Sequence, residues 1–264
     1  MPRMTQYRGL VSVVLAACST LAAQPHSVRL ADLTWKEAAD ALTPQTIVMI
    51  PLGAGSKEHG PQLKLSNDFV LAEYLAKEVM ARTAVVVAPT INYSYYPAFV
   101  EYPGTTSLRL ETARDLVVDI CRGLARFGPR KFYVLNTGVS TLRALAPAAG
   151  QLAQDGIVMR YTDILNASRA VEDEVRQERA GTHADEIETS MMLYIAPGTV
   201  DMKKATKDFP EGRGPLQWRD PQAPMYSPSG IFGDATLATR AKGEKVVRAQ
   251  IEFMVKEIEA LRAQ

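Results

Sequence analysis

The sequence predicts an α/β fold, a three-layer α/β/α sandwich around a mostly parallel sheet. Three observations carry that expectation. Short, continuous apolar runs recur at residues 46–50, 84–88, 131–135 and 157–161, the pattern of strands buried on both faces. Stretches of helical periodicity lie between them, so strand and helix alternate along the chain. A hydrophobic fraction of 47% over 264 residues supplies enough apolar surface for a sizeable core, which excludes a disordered or fibrous chain.

The first segment is set apart from this pattern. Arg3 and Arg8 precede an apolar run over residues 10–17, followed by Cys18 and small residues up to Ala23. That is the build of a secretory signal, and the run is too short to span a bilayer. Two exits are open. Leu15-Ala-Ala-Cys18 resembles a bacterial lipoprotein box, which would leave Cys18 as a lipid-anchored first residue. Ordinary cleavage near Ala22 or Ala23 would instead release a soluble chain starting close to Gln24. Either way the expected location is outside the cytoplasm, in the periplasm, and residues 24–264 read as one domain.

The charge count is 30 basic against 29 acidic residues, and loss of residues 1–23 leaves 28 against 29. Neither balance offers the basic excess that binding phosphates requires, so nucleic-acid partners are excluded. Cys121 sits in an amphipathic pattern and is expected to pack in the core. As the one cysteine sure to remain, it forms no internal disulfide.

The remaining elements follow in order. Thr34 and Glu37 have the spacing of a capping box, so a short helix opens there and ends before Pro44. Residues 46–50 form a buried strand closed by Pro51, Gly53 and Gly55. Residues 67–82 place Val70, Leu71, Tyr74, Leu75 and Val79 on one helical face. A second strand at 84–88, a helix at 110–127, a third strand at 131–135, a helix interrupted by Pro147 and a fourth strand at 157–161 complete the alternation. Residues 203–230, rich in Pro, Gly and charge, read as a long irregular loop of the kind that forms lids or assembly arms. A final helix over about 235–262 carries Ile251, Met254, Val255, Ile258 and Leu261 as a core or subunit-packing stripe.

Two segments carry chemistry. The first runs from Pro51 at a strand end to Asp68 at a helix start and gathers Glu58, His59 and Asp68, types suited to a divalent ion such as zinc or manganese. Read structurally, Glu58 is a solvated loop acid and Asp68 favours a helix N-terminus. The second is Thr182-His-Ala-Asp-Glu-Ile-Glu-Thr-Ser190. A helix starting near His183, capped by Thr182 with Asp185 and Glu186 in its first turn, would set the imidazole at a positive dipole end as a base or ligand and leave Glu188 to turn inward. The chain has three histidines, so a metal site must lean on carboxylates.

These segments, with Leu33-Thr-Trp35, Tyr102-Pro-Gly-Thr-Thr-Ser107, Val134-Leu-Asn-Thr-Gly138 and Gly233-Asp-Ala-Thr-Leu-Ala238, resemble the creatininase (creatinine amidohydrolase) family of metal-dependent hydrolases of non-peptide C–N bonds. The resemblance implies an α/β sandwich and a divalent metal centre of zinc, manganese or iron, with one or two ions. It also implies a small amide or cyclic amide as substrate and assembly into a homo-oligomer. Residue by residue it assigns His59, Asp68 and Glu188 as metal ligands, Glu58 as a ligand if its loop bulges, and His183 as the group that assists proton transfer, with Glu188 at its side. The chain departs from the pattern where Lys57 replaces the family's glutamate two positions before the histidine. It departs again where Gly138 replaces a ligand histidine, and where Gln62 and Lys64 replace a His and a Pro. The expected mechanism is hydrolysis with one ion on His59, Asp68 and Glu188. The alternative is a non-catalytic relative that binds a small ligand in the periplasm. Tyr93, Tyr95, Tyr96, Phe99 and Tyr102 form an aromatic cluster suited to an interface, a pocket wall or the core.

Overall fold

A computed structural model describes residues 27–264. The expected signal segment, Cys18 included, lies outside the described residues. The first elements are a two-residue strand β1 (Val28–Arg29) and helix α1 (Trp35–Ala41). The capping box is formed as predicted: the Thr34 side chain accepts from the Glu37 N–H, and the Thr34 N–H donates to the Glu37 carboxylate at 2.7 Å.

Next come β2 (Ile47–Leu52), α2 (Asn67–Met80), β3 (Val86–Val87), α3 (Leu110–Ala125), β4 (Lys131–Asn136), α4 (Leu142–Gln154) and β5 (Val158–Tyr161). Among the described residues they form a five-stranded parallel sheet in the order β1-β3-β2-β4-β5. Every residue of β2 is buried, as the central strand of a doubly covered sheet must be. Alternation along the strands divides the core. Ile47, Met49, Tyr133 and Leu135 face one layer with Leu71, Leu75 and Val79 of α2, whereas Val48, Ile50, Phe132 and Val134 face the other with Val117 and Cys121 of α3 and Leu145 of α4. Cys121 is buried, and burial pushes its thiol up to about 12.

The second half holds α5 (Ile164–Ala167), α6 (Arg169–Val175), α7 (Glu186–Ile195), β6 (Lys207–Asp208), β7 (Gly233–Asp234) and α8 (Arg240–Arg262). Helices α7 and α8 join the α2 layer through Ile187, Met191, Ile251, Met254 and Ile258. Their backbones touch at Gly243, where a Cβ would overlap the Ser190 carbonyl, so the absence of a side chain sets the spacing.

Several expectations are corrected. Helix α4 runs unbroken through Pro147, which sits in its second turn and deletes a single backbone donor. The buried stripe of α2 uses Ala72 and Ala76 beside Leu71, Leu75 and Val79, with Val70 only half-buried. The ladder of the second strand shrinks to Val86–Val87. The loop at 203–230 contains a 3-10 turn (Met202–Lys204) at its start, and β6 within it pairs antiparallel with β7. The final helix is preceded by a separate 3-10 turn (Ala235–Leu237).

The β2 crossover through α2 leads to β3 on one side, while β4 lies on the other side of β2. The chain thus switches direction beyond the carboxyl ends of β2 and β4, the place where such sheets bind ligands. The loop after β2 carries Lys57, Glu58 and His59, and the loop after β4 carries Gly138.

Candidate active site

Gly53 lets the loop after β2 lie against the first turn of α2, since a Cβ there would collide with the Asp68 carbonyl. This close approach brings the loop's side chains onto Asp68. The Lys57 N–H donates to the Leu65 carbonyl at 3.0 Å and the Glu58 N–H to Thr105 Oγ1 at 2.9 Å, which fixes the backbone on both sides of the pair.

His59 is buried, with Nε2 2.8 Å from Asp68 Oδ1 and Nδ1 3.1 Å from the Lys57 carbonyl. A carbonyl can only accept, so Nδ1 carries a hydrogen, and in neutral imidazole that leaves an Nε2 lone pair facing a carboxylate. His183 meets the same conflict. Its Nε2 lies 2.8 Å from Glu58 Oε2 and its Nδ1 3.6 Å from Glu188 Oε2. The two rings stand 5.0 Å apart between centroids, and Phe99 covers His183 at 4.0 Å.

Lone pairs and carboxylates turned toward one another are reconciled by extra protons or by a shared cation. One donor atom each from His59, His183 and Glu188 lies within 4.8 Å of the others, a spacing and a nitrogen-and-oxygen composition that suit one divalent ion. The residues present therefore fit a metal ion, with His183 added to the His59 and Glu188 that sequence reasoning gave. Asp68 lies beside this set, on His59 and Lys57. Glu58 directs its carboxylate to His183 and to the Gly60 N–H.

The second segment folds differently from its expectation. Thr182 does not cap a helix. Its N–H and that of His183 donate to the Phe232 carbonyl, and the Phe232 N–H returns a bond to the His183 carbonyl at 2.9 Å. Ala184 takes a left-handed φ of 49°, and Asp185 is the cap, accepting from the Ile187 and Glu188 N–H groups at 2.9 Å each. The competing cap wins because Asp185 is also anchored by Arg176 at 3.0 Å. Glu186 stands in the first turn of α7 as expected, where it is buried and paired with Lys242 of α8. Gln62 donates to the Ala184 carbonyl at 2.8 Å and to Thr189 Oγ1 at 3.1 Å, which holds the strained residue and orients α7. The Ala184 N–H in turn donates to Glu188 at 2.6 Å.

Electrostatics follow from this crowding. Burial works against charge on Asp68, but His59 and Lys57 outweigh it and hold the carboxyl well below its usual range. Burial works against the Lys57 ammonium too, and Asp68, Glu188 and Glu58 together hold its pKa above the ordinary value. Burial pushes Glu188 up to about 7 against the pull of His183 and Lys57.

Of the aromatic cluster, Tyr96 and Tyr102 are buried, Phe99 lines the site and Tyr93 is exposed. Gly230, with a positive φ of 78°, brings the long loop's backbone against the Glu58 carboxylate, where any Cβ would collide. Sequence reasoning did not find Lys57, Gln62 or Gly230 as site residues. The one signal available was a lysine inside an otherwise ligand-like segment.

A family model described as creatinine amidohydrolase matches residues 31–258. The chain is 28% identical over 246 residues to creatinine amidohydrolase of Pseudomonas putida, covering 86% of this chain and 94% of that one. It is 26% identical over 260 residues to 3-dehydro-scyllo-inosose hydrolase of Thermotoga maritima, covering 88% and 83%. A solved structure of a creatininase variant of Zn-Zn type superposes with a TM-score of 0.72 at 26% identity, over 89% of this chain and 98% of that one.

Proposed function

The chain belongs to the creatininase family, and from that premise we propose that it is a metal-dependent hydrolase acting on a C–N bond of a small amide or cyclic amide. The observation that carries the proposal is the convergence of His59, His183 and Glu188 within 4.8 Å. Relatives that are creatinine and inosose hydrolases support the hydrolytic reading, and the Zn-Zn type structure supports a divalent ion.

In this reading His59, His183 and Glu188 hold the ion, which when bound supplies Lewis acidity and a water of lowered pKa. The protein's own groups do the rest. The Lys57 carbonyl fixes the tautomer of His59 and the Glu58 carboxylate orients His183, the outer support that ligand histidines require. Glu58 is thus the holder of a ligand in place of the direct ligand expected from sequence. Glu188 supplies the one carboxylate of this donor set. Phe99 stacks on His183 and excludes water from that face. We place the protein outside the cytoplasm on the strength of residues 1–23 and read it as a homo-oligomer by analogy with its family.

The test is elemental analysis of gently purified protein, followed by a screen of small amides with and without added zinc or manganese. Bound or acquired metal with metal-dependent amide cleavage is the expected result. A protein that takes up no divalent ion yet binds a small ligand would instead be the non-catalytic relative.

A further inference from the structure

We infer that the Lys57 ammonium is a built-in cation that occupies the outer side of Asp68, so that the site holds one divalent ion and not two. The inference rests on the hydrolase reading for the first ion.

Three observations carry it. Lys57 is only 5% exposed, and its Nζ lies 2.8 Å from Asp68 Oδ2. At that distance the two buried groups form a close ion pair. The rings of Phe99 and Tyr96 cover it at 4.9 and 5.6 Å, as aromatic faces cover a desolvated cation. With Oδ2 held by the ammonium, only Oδ1, 2.8 Å from His59 Nε2, is left on Asp68 to face the ion.

In the neighbouring loop after β4 Gly138 has no side chain to offer a second ion, and Asn136 and Thr141 are committed to each other and to the backbone. Asn136 spends its amide on the Gly138 and Thr162 carbonyls and its oxygen on Thr141 and the Gly138 N–H, and Thr141 turns its hydroxyl inward. A Cβ at Gly138 would meet Thr141 Oγ1 at 3.1 Å and Tyr96 Cε1 at 3.6 Å, so a side chain there would start in tight contact with Thr141.

Charge settles the count. Glu58, Asp68 and Glu188 bring three negative charges into the pocket, and one ammonium with one divalent ion neutralises them. A second divalent ion would bury an uncompensated positive charge beside an ammonium, which has no lone pair to coordinate it. The Zn-Zn type relative shows that the fold itself accommodates two metal ions. In this chain the restriction lies in its own side chains.

The experiment is the metal content of the full chain after saturation with manganese and desalting, with titration calorimetry alongside. Wild type and Lys57→Arg, which keeps the charge, are expected to hold one ion per chain, and Lys57→Glu two, the second more weakly bound. If Lys57→Glu does not fold, Lys57→Gln serves, with a second weak site expected. Two ions in wild type would overturn this inference and leave the hydrolase reading standing. A single ion in the folded charge-removing variant would also overturn it, whereas no ion in wild type would overturn both.

Discussion

Glu58 Oε2 and His183 Nε2 meet at 2.8 Å across 125 residues of sequence, which joins the loop after β2 to the approach of α7. A carboxylate in this position sets which nitrogen of a ligand histidine carries the hydrogen. Glu58→Ala is therefore expected to weaken divalent-ion affinity by about 10–100-fold while the fold persists. Competition with a chromogenic chelator measures this, and an unchanged affinity would remove Glu58 from its supporting role.

Removing a donor should cost more than removing a support. His59→Ala and Glu188→Ala are each expected to lower ion affinity by more than about 100-fold, beyond the range of an outer-shell substitution. Amide hydrolysis should vanish on dialysis against a chelator and return with zinc or manganese. Losses no larger than that of Glu58→Ala would mean that the ion sits elsewhere.

Glu178 gives a pH signature away from the metal site. Burial first, and then the neighbouring Asp185, push its carboxyl up to about 8 against the pull of the Asp234 N–H and Arg176. As pH rises from the ordinary carboxyl range toward 8, the unfolded chain releases a proton that the folded chain keeps, so stability falls across that window. Melting temperatures between pH 5 and 8 should decline more steeply for wild type than for Glu178→Gln, and parallel curves would refute the assignment.

Gly243→Ala is expected to destabilise the protein by about 1–3 kcal/mol, because its methyl group would be forced into the Ser190 carbonyl and spread α7 from α8. Denaturant titration reads the loss. A neutral result would show that the two helices can separate without cost.

The layered fold was legible because its signals are local and agree with one another. The fully apolar β2 and the Thr34 box each point to one conformation. The two-residue β1 was not legible, since its pairing with β3 owes nothing to its own composition. Within the site, the residue types that suit a metal were visible, and the roles were not. Glu58 stands next to His59 in the chain, yet it serves His183. Thr182 is the expected cap, but Asp185 is the better capping residue and is held in place by Arg176, which reaches it from the end of α6. Lys57 read as a departure from a family pattern, and only its burial against Asp68 shows that it takes part.

The contact of the Gly230 backbone with the Glu58 carboxylate makes the long loop more than a cover. Glu58 is pressed from one side by that loop and holds His183 on the other, so a displacement of the loop is transmitted within one side chain to the histidine. Rebuilding the loop around Gly230 therefore acts on Glu58 and, through it, on His183.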